Sequence, residues 1–173
     1  MGIKIWPVKP KAPIVNNAPT PPAIAPALFF PVKSLNTTSP ATSPTTKVNQ
    51  LFAHLAYPQT EIFVPDLFYI ECANVLWKYA RAGSYNVSLI QGNLASFKAL
   101  PLGVVSTADL MADAVAIALN YGISAYDGSY VALSQQVGAT LLTLDGKLVK
   151  GLAASSYNVC SFNDFEVPAL ESM

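Results

Sequence analysis

The chain has 173 residues, 52% hydrophobic and 12% charged, a composition that can bury a sizeable core in one domain plus an extension. Residues 1–60 carry five lysines and no acid, whereas residues 61–173 carry all ten acids and five basic residues. The formal net charge of zero is therefore the sum of a basic first part and an acidic second part. The acidic part is poorly suited to binding nucleic acid by charge alone. Two isolated cysteines exclude a disulfide framework and favour a reduced cytoplasmic setting, and no apolar stretch reaches the ~18–20 residues of a membrane span.

The first 46 residues differ in composition from the rest. They hold ten of the fourteen prolines together with many Ser, Thr and Asn residues, and they show no helical or strand period. This composition predicts a disordered or polyproline-like segment over residues 1–46 and a single domain over residues 47–173. Within the first segment, residues 3–6 have the character of a strand that Pro7 ends.

From Val48 onward, apolar periodicity and capping residues predict helices alternating with strands. Predicted helices cover residues 48–55, 67–81, 87–99, 106–121, 124–138 and 147–153, and predicted strands cover residues 62–64, 102–105, 141–144 and 158–162. The strands are apolar on both faces, which is typical of a sheet covered by helices on both sides. The sequence therefore predicts an α/β domain with a mostly parallel sheet.

Three carboxylates, Glu71, Asp127 and Asp145, interrupt apolar segments of this pattern. Asp145 follows a predicted strand, while Glu71 and Asp127 lie in the first turns of predicted helices. In parallel sheets, functional groups gather beyond the carboxyl ends of the strands, so the three side chains could converge there. A buried carboxylate without a partner is costly. The interpretation is a shared cation and metal-assisted chemistry.

Each of these acids also has a structural interpretation. Asp145 precedes a glycine and could cap the following helix. Asp127, third after Ser124, suits the positive end of a helix dipole. Glu71 could be solvated, because Lys78 and Arg81 require a wet face on the same helix. The residues alone leave these alternatives open.

The order of the three segments around these acids resembles the PIN-domain family, particularly the VapC-type toxins of bacterial toxin–antitoxin pairs. The matching stretches are VPDLFYIECANVLWK (64–78), AYDGSYVALS (125–134) and LTLDGKL (142–148). The resemblance covers residues 48–168 and implies a three-layer α/β/α sandwich, cleavage of RNA with Mg²⁺ or Mn²⁺, a homodimer and an antitoxin partner. It also implies that Glu71, Asp127 and Asp145 are catalytic residues and metal ligands.

One departure from the family concerns the first strand, which in the family ends in an Asp that begins the acidic set. Residues 1–60 contain no acid, so the sequence does not predict a complete first strand or a complete metal site. We hypothesise that residues 7–46 arise from a shifted reading frame or a replaced segment. We therefore expect weak or absent RNA cleavage. The alternatives are a non-catalytic module that keeps the fold for interaction, and an unrelated doubly wound domain whose acids only cap helices.

Overall fold

The structure is a computed structural model that describes residues 4–10, 44–56 and 60–167. It contains the strands β1 (Lys4–Pro10), β2 (Thr60–Pro65), β3 (Gly103–Val105), β4 (Thr140–Thr143) and β5 (Val159–Ser161). The α-helices are α1 (Pro44–Ala53), α2 (Leu67–Arg81), α3 (Ile90–Lys98), α4 (Thr107–Tyr121), α5 (Ala125–Val137) and α6 (Gly146–Gly151). The predicted succession of helices and strands after Val48 is therefore confirmed, with boundaries that shift by a few residues.

The five strands form one sheet in the order β3-β2-β1-β4-β5. The pairs β2–β3 and β4–β5 are parallel, while β1 pairs antiparallel with both β2 and β4. Four strands therefore point in one direction, and the central strand points in the other. The predicted α/β class with a mostly parallel sheet is confirmed.

Strand β1 differs from the prediction, since it continues past Pro7 to Pro10. Lys4 lies opposite Thr143 and Val8 opposite Thr140 on β4, and the register shifts between Ile5 and Val8. A proline has no N–H to donate to a ladder, so a bulge is the arrangement that a central strand tolerates there. Of the segment 1–46 that the sequence predicts to be disordered, residues 4–10 lie in β1 and residues 44–46 in α1, and the other residues fall outside the described part of the chain.

Local capping explains where the long helices begin and end. The Ser106 and Ser124 hydroxyls accept hydrogen bonds from the first-turn amides of α4 and α5. Gly122 and Gly138 end these two helices with φ angles of 65° and 62°, a conformation in which a Cβ would be strained. These four residues confirm the capping pattern that the sequence predicts.

Helices pack against both faces of the sheet and form two core clusters with it. One core cluster combines side chains of α1, α2 and α3 with the sheet, among them Leu51, Phe68, Leu76, Phe97 and Leu142. The other combines α4, α5 and α6 with the sheet, among them Leu110, Ile117, Tyr130, Leu141 and Leu148. Adjacent residues of β4 enter opposite clusters, as the alternation of a strand requires. The three-layer α/β/α arrangement is thereby confirmed.

Helix α5 is the most enclosed helix of the domain. Seven consecutive residues, from Gly128 to Ser134, are buried. A Cβ at Gly128 would lie 2.3 Å from the carbonyl oxygen of Ala114, so α4 and α5 approach each other closely at this point. Only a glycine fits this contact without displacing one of the two helices.

Candidate active site

A buried tyrosine on α5 contacts Glu71 of α2. Tyr130 is 1% exposed, and its hydroxyl donates a hydrogen bond of 2.5 Å to Oε2 of Glu71. The hydroxyl needs an acceptor in the core, and a carboxylate is a strong one. Glu71 is half-buried, so the pair bridges the interior and a more open surface. No local sequence signal indicates this contact, because the two residues are 59 positions apart.

Asp127 lies one helical turn before Tyr130 and is held by the N-cap of α5. The Asp127 amide donates to Ser124 Oγ at 3.0 Å, and the Ser124 hydroxyl donates to Asp127 Oδ2 at 2.6 Å. Asp127 thus has the predicted capping role at the positive end of the helix. Its carboxylate is half-buried and fixed in orientation.

The carboxylates of Glu71 and Asp127 both act on the Tyr130 hydroxyl. The pKa of Tyr130 is raised far above its usual range, first by burial and then by its hydrogen bond to Glu71. The negative charges of Glu71 and Asp127 raise it further. Tyr130 therefore stays a hydrogen-bond donor at any physiological pH. The structure relates two of the three predicted acids through this hydroxyl.

Asp145 is the N-cap of α6. Its Oδ1 accepts hydrogen bonds from the amides of Lys147 at 2.8 Å and Leu148 at 3.3 Å, and its own amide donates to Thr143 Oγ1 at 3.0 Å. The capping role that the Asp-Gly pair predicts is confirmed. Thr143 is fully buried, so its hydroxyl oxygen supports the backbone at the end of β4.

A divalent cation needs several oxygen ligands close together. Over residues 47–55 and 61–167, no three or more His, Cys, Asp or Glu side chains are grouped closely enough to hold a metal ion. The chemistry of the donors nevertheless fits, because Mg²⁺ is commonly bound by one or two carboxylates and keeps several waters. Glu71 and Asp127 supply carboxylates of the type that such a hydrated ion takes, while a cage of three carboxylates is not formed among these residues.

Asp66 is a further acid at this edge of the sheet. It occupies the N-cap position of α2, but its side chain makes no capping hydrogen bond there. Its Oδ1 accepts instead from the amide of Thr107 at 3.0 Å and from the Thr107 hydroxyl at 2.6 Å, at the start of α4. The hydrogen bond from the Thr107 side chain is the main cause of a lowered Asp66 pKa. No local signal reveals a partner 41 positions away.

The cysteine next to Glu71 is not a nucleophile. Burial, and then the charge of Glu71, raise the pKa of the Cys72 thiol to about 12. A thiol with this pKa is protonated at neutral pH, whereas nucleophilic attack needs the thiolate. Cys72, a residue of α2, packs in the core cluster of α1, α2 and α3 instead.

Asp113 of α4 lies away from these acids, in an open groove of about 350 Å³. The groove is also lined by Asn120, Gln135 and Tyr157, and none of the three predicted carboxylates lines it.

Comparisons with known proteins agree with the fold. A family model described as "PIN domain" matches residues 43–151, which is more than half of the chain. The chain therefore belongs to the PIN-domain family, as its sequence pattern predicts. It is similar to a protein of Pyrobaculum aerophilum named Ribonuclease VapC3, with 41% identity over 98 residues, 54% of this chain and 73% of the relative. Strand β1 lies outside the family match. Among the described helices, none is long and apolar enough to cross a membrane.

Proposed function

We propose that this protein is an endoribonuclease of the VapC toxin type whose RNA cleavage is weak or absent. Membership of the PIN-domain family and the similarity to a protein named Ribonuclease VapC3 support the type of activity. The observation that supports the site is the hydrogen bond from the buried Tyr130 hydroxyl to Glu71, one helical turn from Asp127. The substrate is RNA, and the reaction is hydrolysis of a phosphodiester bond.

Of the three predicted ligands, Glu71 and Asp127 would hold a hydrated Mg²⁺ or Mn²⁺, since hard cations prefer carboxylate oxygens, while Asp145 caps α6. A bound cation supplies a water of lowered pKa and offsets charge on the scissile phosphate. The protein contributes orientation: Tyr130 holds Glu71, and the Ser124 cap holds Asp127. Without a cation, these acids repel an RNA phosphate.

The expected impairment rests on the first strand. Residues 1–60 contain no acid, and the family match begins at residue 43. Because β1 runs antiparallel, Lys4 at its start lies opposite Thr143 at the end of β4. A family member would bring the end of a parallel strand, with its acid, to this edge. Positioning can account for ~7–11 kcal/mol of a barrier and is sensitive to small displacements, so the loss of one acid is expected to be severe.

The test is RNA cleavage by the purified protein with and without Mn²⁺. We expect cleavage near background for the wild type, and no further decrease in Asp127→Asn. The matched control is Asp109→Asn, which removes an exposed acid from α4. Strong metal-dependent cleavage that is lost only in Asp127→Asn would contradict the impairment and support the site. Strong cleavage that survives in Asp127→Asn would contradict the site.

A second candidate is a PIN-fold interaction module without catalysis. It is favoured by the absence of a group of three potential metal ligands within the described part of the chain. Calorimetric titration separates the two candidates. Heat of binding for Mn²⁺ that disappears in Glu71→Gln supports the nuclease, and no binding at millimolar Mn²⁺ supports the module.

The proposal includes a homodimer, an antitoxin partner and a cytoplasmic location. For the homodimer, α4 presents an apolar stripe made of Met111, Val115 and Leu119, which are 65%, 49% and 80% exposed. These residues recur every four positions and so lie along one side of the helix. Exposed apolar area of this kind is typical of a protein interface. An antitoxin could neutralise the acids with a basic side chain.

A further inference from the structure

The Tyr130 hydroxyl is placed where a core residue ordinarily needs no polar atom. Its ring belongs to the cluster of α4, α5 and α6 and is almost fully buried. A phenylalanine would fill this space equally well. A buried hydroxyl costs free energy unless it is hydrogen-bonded, so packing alone does not account for its presence.

The acceptor of this hydroxyl is chemically distinctive. Oε2 of Glu71 receives the hydrogen bond from Tyr130, and no hydrogen bond to Oε1 is found among the described residues. A glutamate side chain has three rotatable bonds, and its freedom is reduced when one oxygen is anchored in the core. The anchored oxygen thus defines where the second oxygen lies.

The hydrogen bond also spans two helices that carry different acids. Glu71 lies on α2, whereas Tyr130 and Asp127 lie on α5, three positions apart and so on one side of the helix. The contact therefore ties the Glu71 carboxylate to the turn of α5 that follows Asp127.

We propose that Tyr130 is a positioning residue that orients Glu71 toward a divalent cation and fixes its distance from Asp127. The inference rests on the proposed function, because it assigns Glu71 a ligand role. Outer groups that hydrogen-bond to metal ligands commonly account for ~10–100-fold in metal affinity. The alternative is a core tyrosine that only happens to find Glu71 as its acceptor.

The test is Mn²⁺ affinity measured by calorimetry on the full chain. Tyr130→Phe keeps the ring and removes the hydroxyl, and we expect Mn²⁺ binding to weaken by about 10-fold or more. Tyr157→Phe removes a hydroxyl on another surface and is expected to leave affinity unchanged. In a Glu71→Gln background, Tyr130→Phe is expected to add no further loss, since the two groups act as a unit.

A second measurement needs no variant of Tyr130. The chain is labelled with ¹³C at the ring carbon that bears each tyrosine hydroxyl, and Mg²⁺ is titrated while NMR spectra are recorded. We expect the Tyr130 resonance, identified by elimination with Tyr→Phe variants of the other tyrosines, to shift with the same midpoint as calorimetric binding. The Tyr157 resonance is expected to stay unchanged.

The outcomes separate the two proposals. If the wild type binds Mn²⁺, Glu71→Gln does not, and Tyr130→Phe binds like the wild type, then Tyr130 is structural and only this inference is overturned. An unshifted Tyr130 resonance at saturating Mg²⁺ has the same meaning. If the wild type binds neither ion, the metal site of the proposed function is wrong, and the role of Tyr130 is refuted with it.

Discussion

The close contact between α4 and α5 predicts that two identical substitutions will have opposite effects on stability. Gly128 and Gly92 both lie within α-helices, and each can be replaced by alanine. A Cβ at position 128 would lie 2.3 Å from the Ala114 carbonyl oxygen and 3.0 Å from its carbon. A Cβ at position 92 would meet nothing within 4 Å. The local chemistry of the change is the same, and only the surroundings differ.

The expected magnitudes follow from two opposing terms. Alanine is favoured over glycine inside a helix by roughly 0.5–1 kcal/mol, so Gly92→Ala should stabilise the fold by up to that amount. Overpacking typically costs about 1–3 kcal/mol, and at position 128 it acts on helix backbone, which cannot rotate away as a side chain can. We expect Gly128→Ala to lower the free energy of unfolding by about 1–2 kcal/mol net. For a chain of this length, that corresponds to a decrease of roughly 2–8 °C in Tm.

The assay is urea unfolding followed by circular dichroism, with the m-value checked to be the same in all three proteins. The difference in the free energy of unfolding between the two variants matters more than either value alone, because the preference of alanine over glycine in a helix contributes equally to both and cancels. The reasoning is refuted if Gly128→Ala unfolds at the same urea concentration as Gly92→Ala or at a higher one. Such a result would mean that α4 and α5 can separate without loss.

Two further predictions concern α4. Asp66→Ala removes the acceptor of Thr107 and should cost up to about 1 kcal/mol, at the low end for a cap because Asp66 is exposed. The pKa of Asp66 is lower in the folded than in the unfolded protein, so the contribution of this carboxylate is complete above the unfolded value of 3.8 and is lost as the pH falls through the folded value. Urea unfolding from pH 7 to pH 2 should therefore show the variant approaching the wild type, and a constant difference would contradict this role. Leu119→Glu places a charge in the apolar stripe and should convert a dimer to a monomer in sedimentation experiments. Leu89→Glu, at a 54% exposed apolar position elsewhere, should remain dimeric, and equal loss in both variants would argue against the stripe.

The parts of the fold that the sequence predicted are those with local signals. Ser106, Ser124, Gly122 and Gly138 mark helix ends through hydrogen bonds and φ angles within a few residues of themselves. Asp145 likewise reaches only two or three residues forward. Such signals are legible in one sequence because the partners are neighbours in the chain.

The parts that the sequence did not predict depend on contacts between distant segments. The pairing of Asp66 with Thr107 spans 41 positions, and the pairing of Tyr130 with Glu71 spans 59. The direction of β1 depends on its pairing with β2 and β4, which residues 4–10 alone do not reveal. The continuation past Pro7 is similar, since a bulge in a long-range ladder overrides the local tendency of proline to end a strand. The three carboxylates were found as residues, but their convergence stays a prediction.

The central strand also has a consequence for the order of folding. Strands β2 and β3, and strands β4 and β5, form two parallel pairs that the sheet connects only through β1. Lys4 pairs with Thr143, which lies 139 positions further along the chain. Pairings of such high contact order form slowly, because a long loop must close before its contacts contribute. The ribosome makes β1 before any other described strand, yet β1 cannot complete the sheet until β4 has emerged. During that interval the part of the sheet already made exposes an unpaired strand edge, which makes synthesis the stage at which this chain is most exposed to aggregation.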